Sequence, residues 1–227
     1  MKVHIIQHVP YESPGLIEDW CCQHNYAIEI IKQYESQSIP RVEDVEFLVV
    51  MGGPMNIYED NRYPWLPKEK ELISDCIQQG KKVFGVCLGA QLIADTLGSK
   101  IYQNKEKEIG WFPIQKSADL NFTAHIPQEL MVLHWHGDTF TLPEKSTRLF
   151  ESEVCENQGF IYDKHVVGLQ FHVEMTEENL KEIVKHSQAE LQEEGDYIQT
   201  EQEIMKFTIP KENKTFLFGL LDKMVRI

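Results

Sequence analysis

The sequence is short of positive charge, of cysteine and of long apolar runs. It holds 22 Lys and Arg against 36 Asp and Glu, a formal net charge of −14 at pH 7, and so acidic a chain lacks the electrostatic footprint of a nucleic-acid binder. No stretch approaches the ~20 apolar residues of a membrane span, and residues 1–6 have the character of a strand rather than a signal peptide. Five cysteines without a C-x-x-C pair are typical of free thiols in a reducing compartment. We therefore expect a cytoplasmic protein without nucleic-acid or membrane partners.

One stretch, VFGVCLGAQ around Cys87, joins a buried apolar strand (residues 82–86) to a helical segment (residues 90–97). A strand–turn–helix with glycine two residues on either side of the central residue is the nucleophile elbow of hydrolases, here with cysteine in place of serine. The turn places the sulfur at the carboxyl end of a strand, where open α/β sheets bind ligands. The helix N-terminus beyond it favours the negative thiolate, which is the reactive species. The plainer alternative is a small buried cysteine at a tight turn.

A histidine and a carboxylate follow another predicted strand far downstream. The strand, residues 166–171, ends in His172-Val173-Glu174, and residues two apart on a strand share a face. A carboxylate beside an imidazole orients the ring and stabilises its protonated form. Cysteine, histidine and acid together predict an activated thiolate for acyl transfer. Taken singly, His172 is an ordinary strand-end histidine and Glu174 a first-turn acid of the following helix.

A third strand, in FLVVMGGP, ends in the glycine pair Gly52-Gly53. Backbone N–H groups at such a turn approach a ligand closely. The N–H of Gly53 and that of Leu88, directly after the cysteine, would form a two-donor oxyanion hole. The alternative is a plain strand-to-loop turn.

The three motifs MGGP, GVCLGAQ and QFHVE, in this order and spacing, resemble a class I (triad-type) glutamine amidotransferase domain. The resemblance covers roughly residues 1–186 and is strongest to the amidotransferase half of GMP synthase and to stand-alone GMP-synthase-like proteins, among them the plant γ-glutamyl peptidases. It implies that Cys87 is the nucleophile, His172 its base and Glu174 the orienting acid. It also assigns the oxyanion donors to Gly53 and Leu88, and it implies no cofactor.

The resemblance further implies how the substrate is held. Gln91 matches a residue that contacts the amino-acid end of glutamine. The run HWHGD, which contains Trp135, Gly137 and Asp138, aligns with a segment whose backbone holds the α-amino and α-carboxylate groups. One departure from the family is Val173, since proline usually stands between the histidine and the glutamate. Proline stiffens this turn without taking part in the chemistry, so the substitution leaves the prediction in place.

His134, His136 and His172 also permit a metal interpretation, because an H-x-H pair on a strand can share a metal with a third histidine. The motif already gives His172 another partner, so we expect no metal. For His134 the sequence favours structural packing beneath the active-site loop.

The pattern of strands and helices predicts one domain over residues 1–227. Strands and helices alternate up to residue 97, and short β runs follow from residue 100 to 171. We expect a flavodoxin-like, mostly parallel sheet flanked by helices, with a small mixed β extension. The core covers about residues 1–186, and acidic and apolar C-terminal helices (187–227) dock on the same domain. In the long loop of residues 55–67, Tyr58 and Trp65 are candidates for contact with substrate or partner. The alternative, which the sequence favours somewhat, is a surface loop pinned by aromatic packing.

Three functions remain open from the sequence. The leading hypothesis is a glutaminase that passes ammonia to a separate synthase, because the chain has no G-x-x-x-x-G-K-[ST] motif of its own. The second is a stand-alone hydrolase or peptidase that acts on other γ-glutamyl small molecules through the same acyl chemistry. The third is a non-catalytic or redox-sensing relative that retains the cysteine.

Overall fold

The computed structural model describes residues 1–124 and 126–226, and its central feature is a nine-stranded sheet. In chain order the strands are β1 (Lys2–Gln7), β2 (Ala27–Lys32), β3 (Phe47–Val50), β4 (Lys82–Val86), β5 (Ile101–Lys116), β6 (Glu129–Phe140), β7 (Ser146–Glu151), β8 (Gly159–Tyr162) and β9 (Val166–Leu169). The helices are α1 (Leu16–Gln23), α2 (Leu66–Gln78), α3 (Leu88–Thr96), α4 (Glu177–His186), α5 (Glu201–Lys206) and α6 (Lys211–Arg226). In the part of the chain so described, no helix has both the length and the apolar composition of a membrane span.

The sheet is parallel at one end and antiparallel at the other. Its spatial order is β2-β1-β3-β4-β9-β8-β7-β5-β6. The pairs from β2 to β9 are all parallel, and those from β9 to β6 are all antiparallel. This confirms the predicted α/β fold, in which helices flank a central sheet, and the predicted β extension is the antiparallel end. It also brings the carboxyl ends of β3, β4 and β9 together at one edge, where ligands bind in open α/β sheets.

Helices cover both faces of the sheet. The strands β1, β3 and β4 are buried almost throughout, as expected for parallel strands with helices on each side. One apolar cluster joins the sheet to α1 and α6, and a second joins it to α2 and α3. In the first, Phe216 and Leu220 of α6 are buried, and Trp20 Nε1 donates to Asp222 Oδ1 at 2.8 Å. The C-terminal helix therefore packs against α1 and this face of the sheet.

Several boundaries and environments differ from the sequence predictions. The antiparallel strands β5 and β6 are far longer than the short runs that the sequence indicates, because β5 continues through the polar residues 103–108, where a bulge interrupts its alternation. Helix α3 begins at Leu88 rather than at residue 90. Of the two adjacent cysteines in α1, Cys21 is buried and Cys22 is exposed. The acidic segment at 190–194 is not a helix face but holds a single 3₁₀ turn, Glu190–Gln192.

Candidate active site

Cys87 occupies a strained turn between β4 and α3. Its φ of 50° and ψ of −107° lie outside the regions that residues with a side chain normally occupy. The glycines at 85 and 89 allow α3 to pack directly on the sheet at this turn. A Cβ on Gly89 would lie 2.0 Å from the Val50 carbonyl oxygen, and one on Gly85 would lie 2.6 Å from the Gly89 backbone. The Cys87 N–H donates to the Leu169 carbonyl at 2.8 Å. The two glycines and this bond hold the sulfur at the carboxyl end of the sheet.

His172 and Glu174 form a buried pair just beyond β9. The His172 N–H donates to the Leu133 carbonyl at 2.8 Å, which ties the residue to β6. Its ring Nδ1 lies 2.7 Å from Glu174 Oε1, and Glu174 Oε2 accepts the Val173 N–H at 2.9 Å. Both side chains are 1% exposed. Because a carboxylate only accepts, Nδ1 carries a hydrogen and the ring orientation is set by Glu174.

The electrostatics of this pair favour a charged imidazolium. Burial alone lowers the pKa of His172, but the negative charge of Glu174, interaction with the Cys87 side chain and the bond to Glu174 raise it well above the usual value. The structure therefore brings the predicted cysteine, histidine and acid together in one electrostatic unit.

The sulfur also has a neighbour that the sequence did not indicate. Gln170 Nε2 donates to Cys87 Sγ at 3.6 Å, and Gln170 Oε1 accepts from Gln91 Nε2 at 3.1 Å. Gln91 Nε2 lies 3.5 Å from the Asp138 carbonyl as well. This amide chain links the cysteine to two of the predicted substrate-binding residues. Gln170 stands at the start of the QFHVE motif, so its position in the sequence is the one signal that could have pointed to it.

The glycine turn after β3 is held by a second buried histidine–glutamate pair. His8 Nδ1 lies 2.9 Å from the Gly52 carbonyl and His8 Nε2 lies 2.9 Å from Glu69 Oε1. Both partners accept hydrogen bonds, so both ring nitrogens carry hydrogen. Burial lowers the pKa of His8, but the charge of Glu69 and the bonds to Glu69 and Gly52 outweigh it and raise the pKa. Sequence reasoning missed both residues.

This pair sets the direction of the Gly53 N–H. No cis peptide bond occurs in the residues described, so the Gly52 carbonyl and the Gly53 N–H point to opposite sides of their peptide plane. With the carbonyl held by His8, the N–H points away from His8. Across residues 1–124 and 126–226, neither the Gly53 nor the Leu88 N–H has a protein acceptor. Both residues line the same cavity as Cys87.

That cavity has a volume of about 420 Å³. Every predicted site residue except Glu174 lines it, and Glu174 lies behind His172. The loop after Gly53 contributes Met55 and Asn56, with Asn56 Nδ2 bound to Asp138 Oδ2 at 2.9 Å. The two loop residues that we singled out are placed elsewhere: Tyr58 is 59% exposed and Trp65 stacks on His8.

Two of the three histidines of the metal hypothesis, His134 and His136, share the neighbours Glu108 and Gln158, whereas His172 has a different partner. His172 is bound to Glu174, and His136 Nδ1 lies 3.0 Å from the Asp138 carbonyl. His134 is fully buried, and burial lowers its pKa to about 4. This environment agrees with a packing role for His134.

The structure brings together a different set, Glu108, His136 and Cys155, whose possible ligand atoms lie within 4.8 Å of one another. The Glu108 oxygens already accept from Ser152 Oγ and Gln158 Nε2, each at 2.7 Å. Burial raises the pKa of the Cys155 thiol to about 11, and this residue does not line the cavity. Although this set also contains a cysteine, a histidine and a glutamate, its neutral, enclosed thiol is unsuited to attack on a substrate.

The family model for class I glutamine amidotransferases matches residues 16–190. The chain therefore belongs to the class I glutamine amidotransferase family. It is 36% identical over 84% of its length to the glutamine amidotransferase-like protein YfeJ of Salmonella typhimurium, of which the match covers 83%. It is 29% identical over 57% of its length to the glutamine-hydrolysing GMP synthase of Vibrio atlanticus, and that match covers 24% of the synthase.

Solved structures agree with this assignment. A glutamine amidotransferase from Thermotoga maritima superimposes with a TM-score of 0.90 at 34% identity, with 100% of this chain and 99% of that chain covered. A glutamine amidotransferase from Methylobacillus flagellatus superimposes with a TM-score of 0.93 at 26% identity, with 99% and 94% covered. Both likenesses extend over the C-terminal helices as well as the motif-bearing core.

Proposed function

We propose that this chain releases glutamate from glutamine through a thioester on Cys87 and supplies the ammonia to a separate synthase. The observation that carries the proposal is the placement of Cys87. It lies in a strained turn that opens into a 420 Å³ cavity, beside a buried His172–Glu174 pair whose electrostatics favour the imidazolium. An imidazolium beside a cysteine stabilises thiolate, which is the nucleophilic form.

The reaction proceeds in two acyl-transfer steps. The Cys87 sulfur attacks the side-chain carbonyl carbon, and the N–H groups of Gly53 and Leu88 donate to the oxygen as it becomes negative. His172 gives its Nε2 proton to the leaving nitrogen, the C–N bond breaks, and ammonia departs from a glutamyl thioester. Neutral His172 then removes a proton from water, which attacks the thioester and restores the thiolate. Glu174 keeps the ring oriented through both steps.

The amino-acid end of the substrate binds in the part of the cavity that Gln91 and β6 form. There the Gln91 amide and the β6 backbone around Trp135, Gly137 and Asp138 face the cavity. These groups offer a side-chain amide together with backbone donors and acceptors, which suits an α-amino and an α-carboxylate group. Gln170 joins the Gln91 amide to the Cys87 sulfur by two hydrogen bonds. Binding of the amino-acid end at Gln91 is therefore coupled to the position of the sulfur.

The role of a separate synthase rests on the comparison with GMP synthase. This chain spans 24% of the Vibrio atlanticus enzyme, so the remainder of that enzyme has no counterpart in it. The loop of residues 55–67 stands beside the oxyanion glycine and reaches Asp138 through Asn56, and a partner bound there would act on the competent site directly.

A second candidate, hydrolysis of larger γ-glutamyl amides without a partner, is favoured by the extent of the cavity. Beyond Cys87 and His172 the cavity continues to Glu12, Ser187 and Glu190. Ammonia alone does not need this additional space. The two candidates share the same Cys87 chemistry and differ in the leaving amine.

The test is glutamate release from glutamine and from γ-glutamyl amides by the purified chain. Cys87→Ala should retain less than about a thousandth of the activity, because it removes the covalent intermediate. Cys155→Ala is the matched control, since it removes the other cysteine that has a neighbouring histidine and glutamate, and it should stay within about threefold of the wild type. Normal turnover by a folded Cys87→Ala protein, or loss of activity only in Cys155→Ala, would contradict the proposal.

Repeating the assay in cell extract separates the two candidates. A glutaminase subunit should release glutamate from glutamine slowly when it is alone, and faster when a synthase stabilises its competent state. Rapid, extract-independent cleavage of a larger γ-glutamyl amide, with glutamine a poor substrate, would favour the second candidate.

A further inference from the structure

Glu12 is a buried acid without a protein partner in the wall of the active-site cavity. It is 6% exposed, lines the cavity, and follows β1 on the segment that leads into α1. Over the residues that the structure describes, its carboxylate takes part in no hydrogen bond or ion pair. A buried carboxylate is costly unless it is paired, so this side chain lacks the partner that its environment demands.

Glu12 lies near the place of the leaving amine rather than near that of the glutamyl group. A Cβ placed on Gly52 would lie 2.3 Å from Glu12 Oε2 and 3.1 Å from His172 Cε1, so the carboxyl and the ring flank the same small space. His172 is the group that protonates the leaving nitrogen in the proposed mechanism. The amine half of a γ-glutamyl amide therefore lies beside His172, where Glu12 also stands.

A second acid lies on the same side. Glu190 lines the cavity, and its Oε2 accepts the Trp135 Nε1 hydrogen at 3.1 Å. Burial raises the pKa of Glu12 and the charge of Glu190 adds to this rise, so the two carboxyls act on one another. Lys107 also lines the cavity, but its Nζ is paired with both oxygens of Glu193, at 2.8 and 2.7 Å. The amine side of the cavity thus carries two carboxyls that Lys107 does not neutralise, although the charges of His172 and His8 partly offset that of Glu12.

We propose that Glu12, with Glu190, forms a subsite for a positively charged leaving amine, so that the chain favours γ-glutamyl amides whose amine half carries an ammonium group. The ammonium would donate to the Glu12 carboxylate and provide its missing partner. An amine half with a carboxylate, as in an ordinary γ-glutamyl dipeptide, would instead meet two like charges. The inference develops the second candidate function, hydrolysis of larger γ-glutamyl amides, and rests on the proposed function through the Cys87 acyl chemistry that both candidates share.

Protonation of Glu12 gives this subsite a pH dependence. Burial raises the pKa of Glu12 to about 7, the charges of Glu174 and Glu190 add to the rise, and His172 and His8 oppose it. At pH 8 the carboxyl is mostly ionised and attracts a cation, whereas at pH 6 it is mostly neutral. The preference for a cationic amine over a neutral one should therefore increase from pH 6 to pH 8, and the ratio between two substrates cancels the pH profile of Cys87 and His172.

The test uses three γ-glutamyl amides of equal length, formed with 1,4-diaminobutane, pentylamine and 4-aminobutanoate, whose amine halves end in a positive, a neutral and a negative group. At pH 8 we expect kcat/KM to fall by about tenfold from the first to the second and again to the third, a factor typical of one charge interaction in a partly buried site. Glu12→Gln keeps the shape and removes this carboxylate while Glu190 remains, so the first ratio should fall severalfold. The matched control Glu194→Gln removes an exposed acid of the same segment as Glu190 and should leave the ratio unchanged.

Equal kcat/KM for the three amides in the wild type, or an unchanged ratio in Glu12→Gln, would overturn the subsite. Calorimetric titration of Cys87→Ala with the same amides measures the charge preference without turnover. Charge-dependent binding without any glutamate release by the wild type would support the subsite and contradict the proposed acyl chemistry, whereas release without charge preference would do the reverse.

Discussion

Replacing Glu12 by Gln should stabilise the fold increasingly as the pH rises. The folded-state pKa of Glu12 is raised from 4.5 to about 7, so between these values the unfolded chain has released a proton that the folded chain still holds. Stability changes with pH according to the protons bound in the unfolded state minus those bound in the folded state. That difference is negative here, so Glu12 makes the wild type less stable as the pH increases through this window.

The size of the effect follows from the shift. Each pKa unit corresponds to about 1.4 kcal/mol, and integration between pH 5.5 and pH 8 gives a loss of about 2 kcal/mol that is due to Glu12. In Glu12→Gln this loss is absent. The amide also changes local hydrogen bonding, but that term is independent of pH. The free energy of unfolding of Glu12→Gln minus that of the wild type should therefore be about 2 kcal/mol more positive at pH 8 than at pH 5.5.

Urea denaturation followed by tryptophan fluorescence at the two pH values measures this difference. Glu194→Gln, at an exposed position, is the control and should show a difference near zero. A pH-independent difference for Glu12→Gln would show that the Glu12 carboxyl has an ordinary pKa in the folded protein. It would refute the argument that an unpartnered buried acid is kept in the cavity at a cost in stability.

Two further predictions concern the groups around the reacting carbonyl. Glu174→Gln should lose less activity than His172→Ala, because the amide still accepts the hydrogen bond from the ring N–H although it cannot stabilise imidazolium by charge. Equal losses in kcat for the two variants would show that Glu174 does more than orient the ring. His8→Ala frees the Gly52 carbonyl and with it the direction of the Gly53 N–H, so kcat should fall by about a hundredfold, as for loss of one oxyanion donor, with KM nearly unchanged. An effect of His8→Ala on KM alone, in a protein of normal melting temperature, would contradict the orienting role.

The parallel half of the sheet and the elbow could be predicted because their signals are local. Residues 82–86 are continuous and apolar, and the glycines at 85 and 89 mark the sharp turn. The antiparallel hairpin was predicted only in fragments because β5 passes through polar residues 103–108, whose pairing with β6 depends on a bulge and not on alternation.

The residues that the sequence did not indicate act through contacts between distant positions. His8 reaches Gly52 and Glu69, which lie 44 and 61 residues away, and Gln170 reaches Cys87 across 83 residues. Glu12 stands in a loop whose composition is unremarkable, and its significance arises from its burial without a partner, which only the folded arrangement reveals. Side-chain hydrogen bonds of this kind follow from the topology and leave no periodic pattern in the chain.

The most direct test of the central claim is covalent labelling of the purified chain by an electrophilic glutamine analogue, with the modified residue located by peptide mass spectrometry. We predict one adduct per chain, on Cys87, with glutamine slowing its formation. Cys22 is the exposed cysteine and serves as an internal reference for non-specific alkylation. Labelling of Cys22 or Cys155 in place of Cys87, or labelling of Cys87 that glutamine does not slow, would contradict the account.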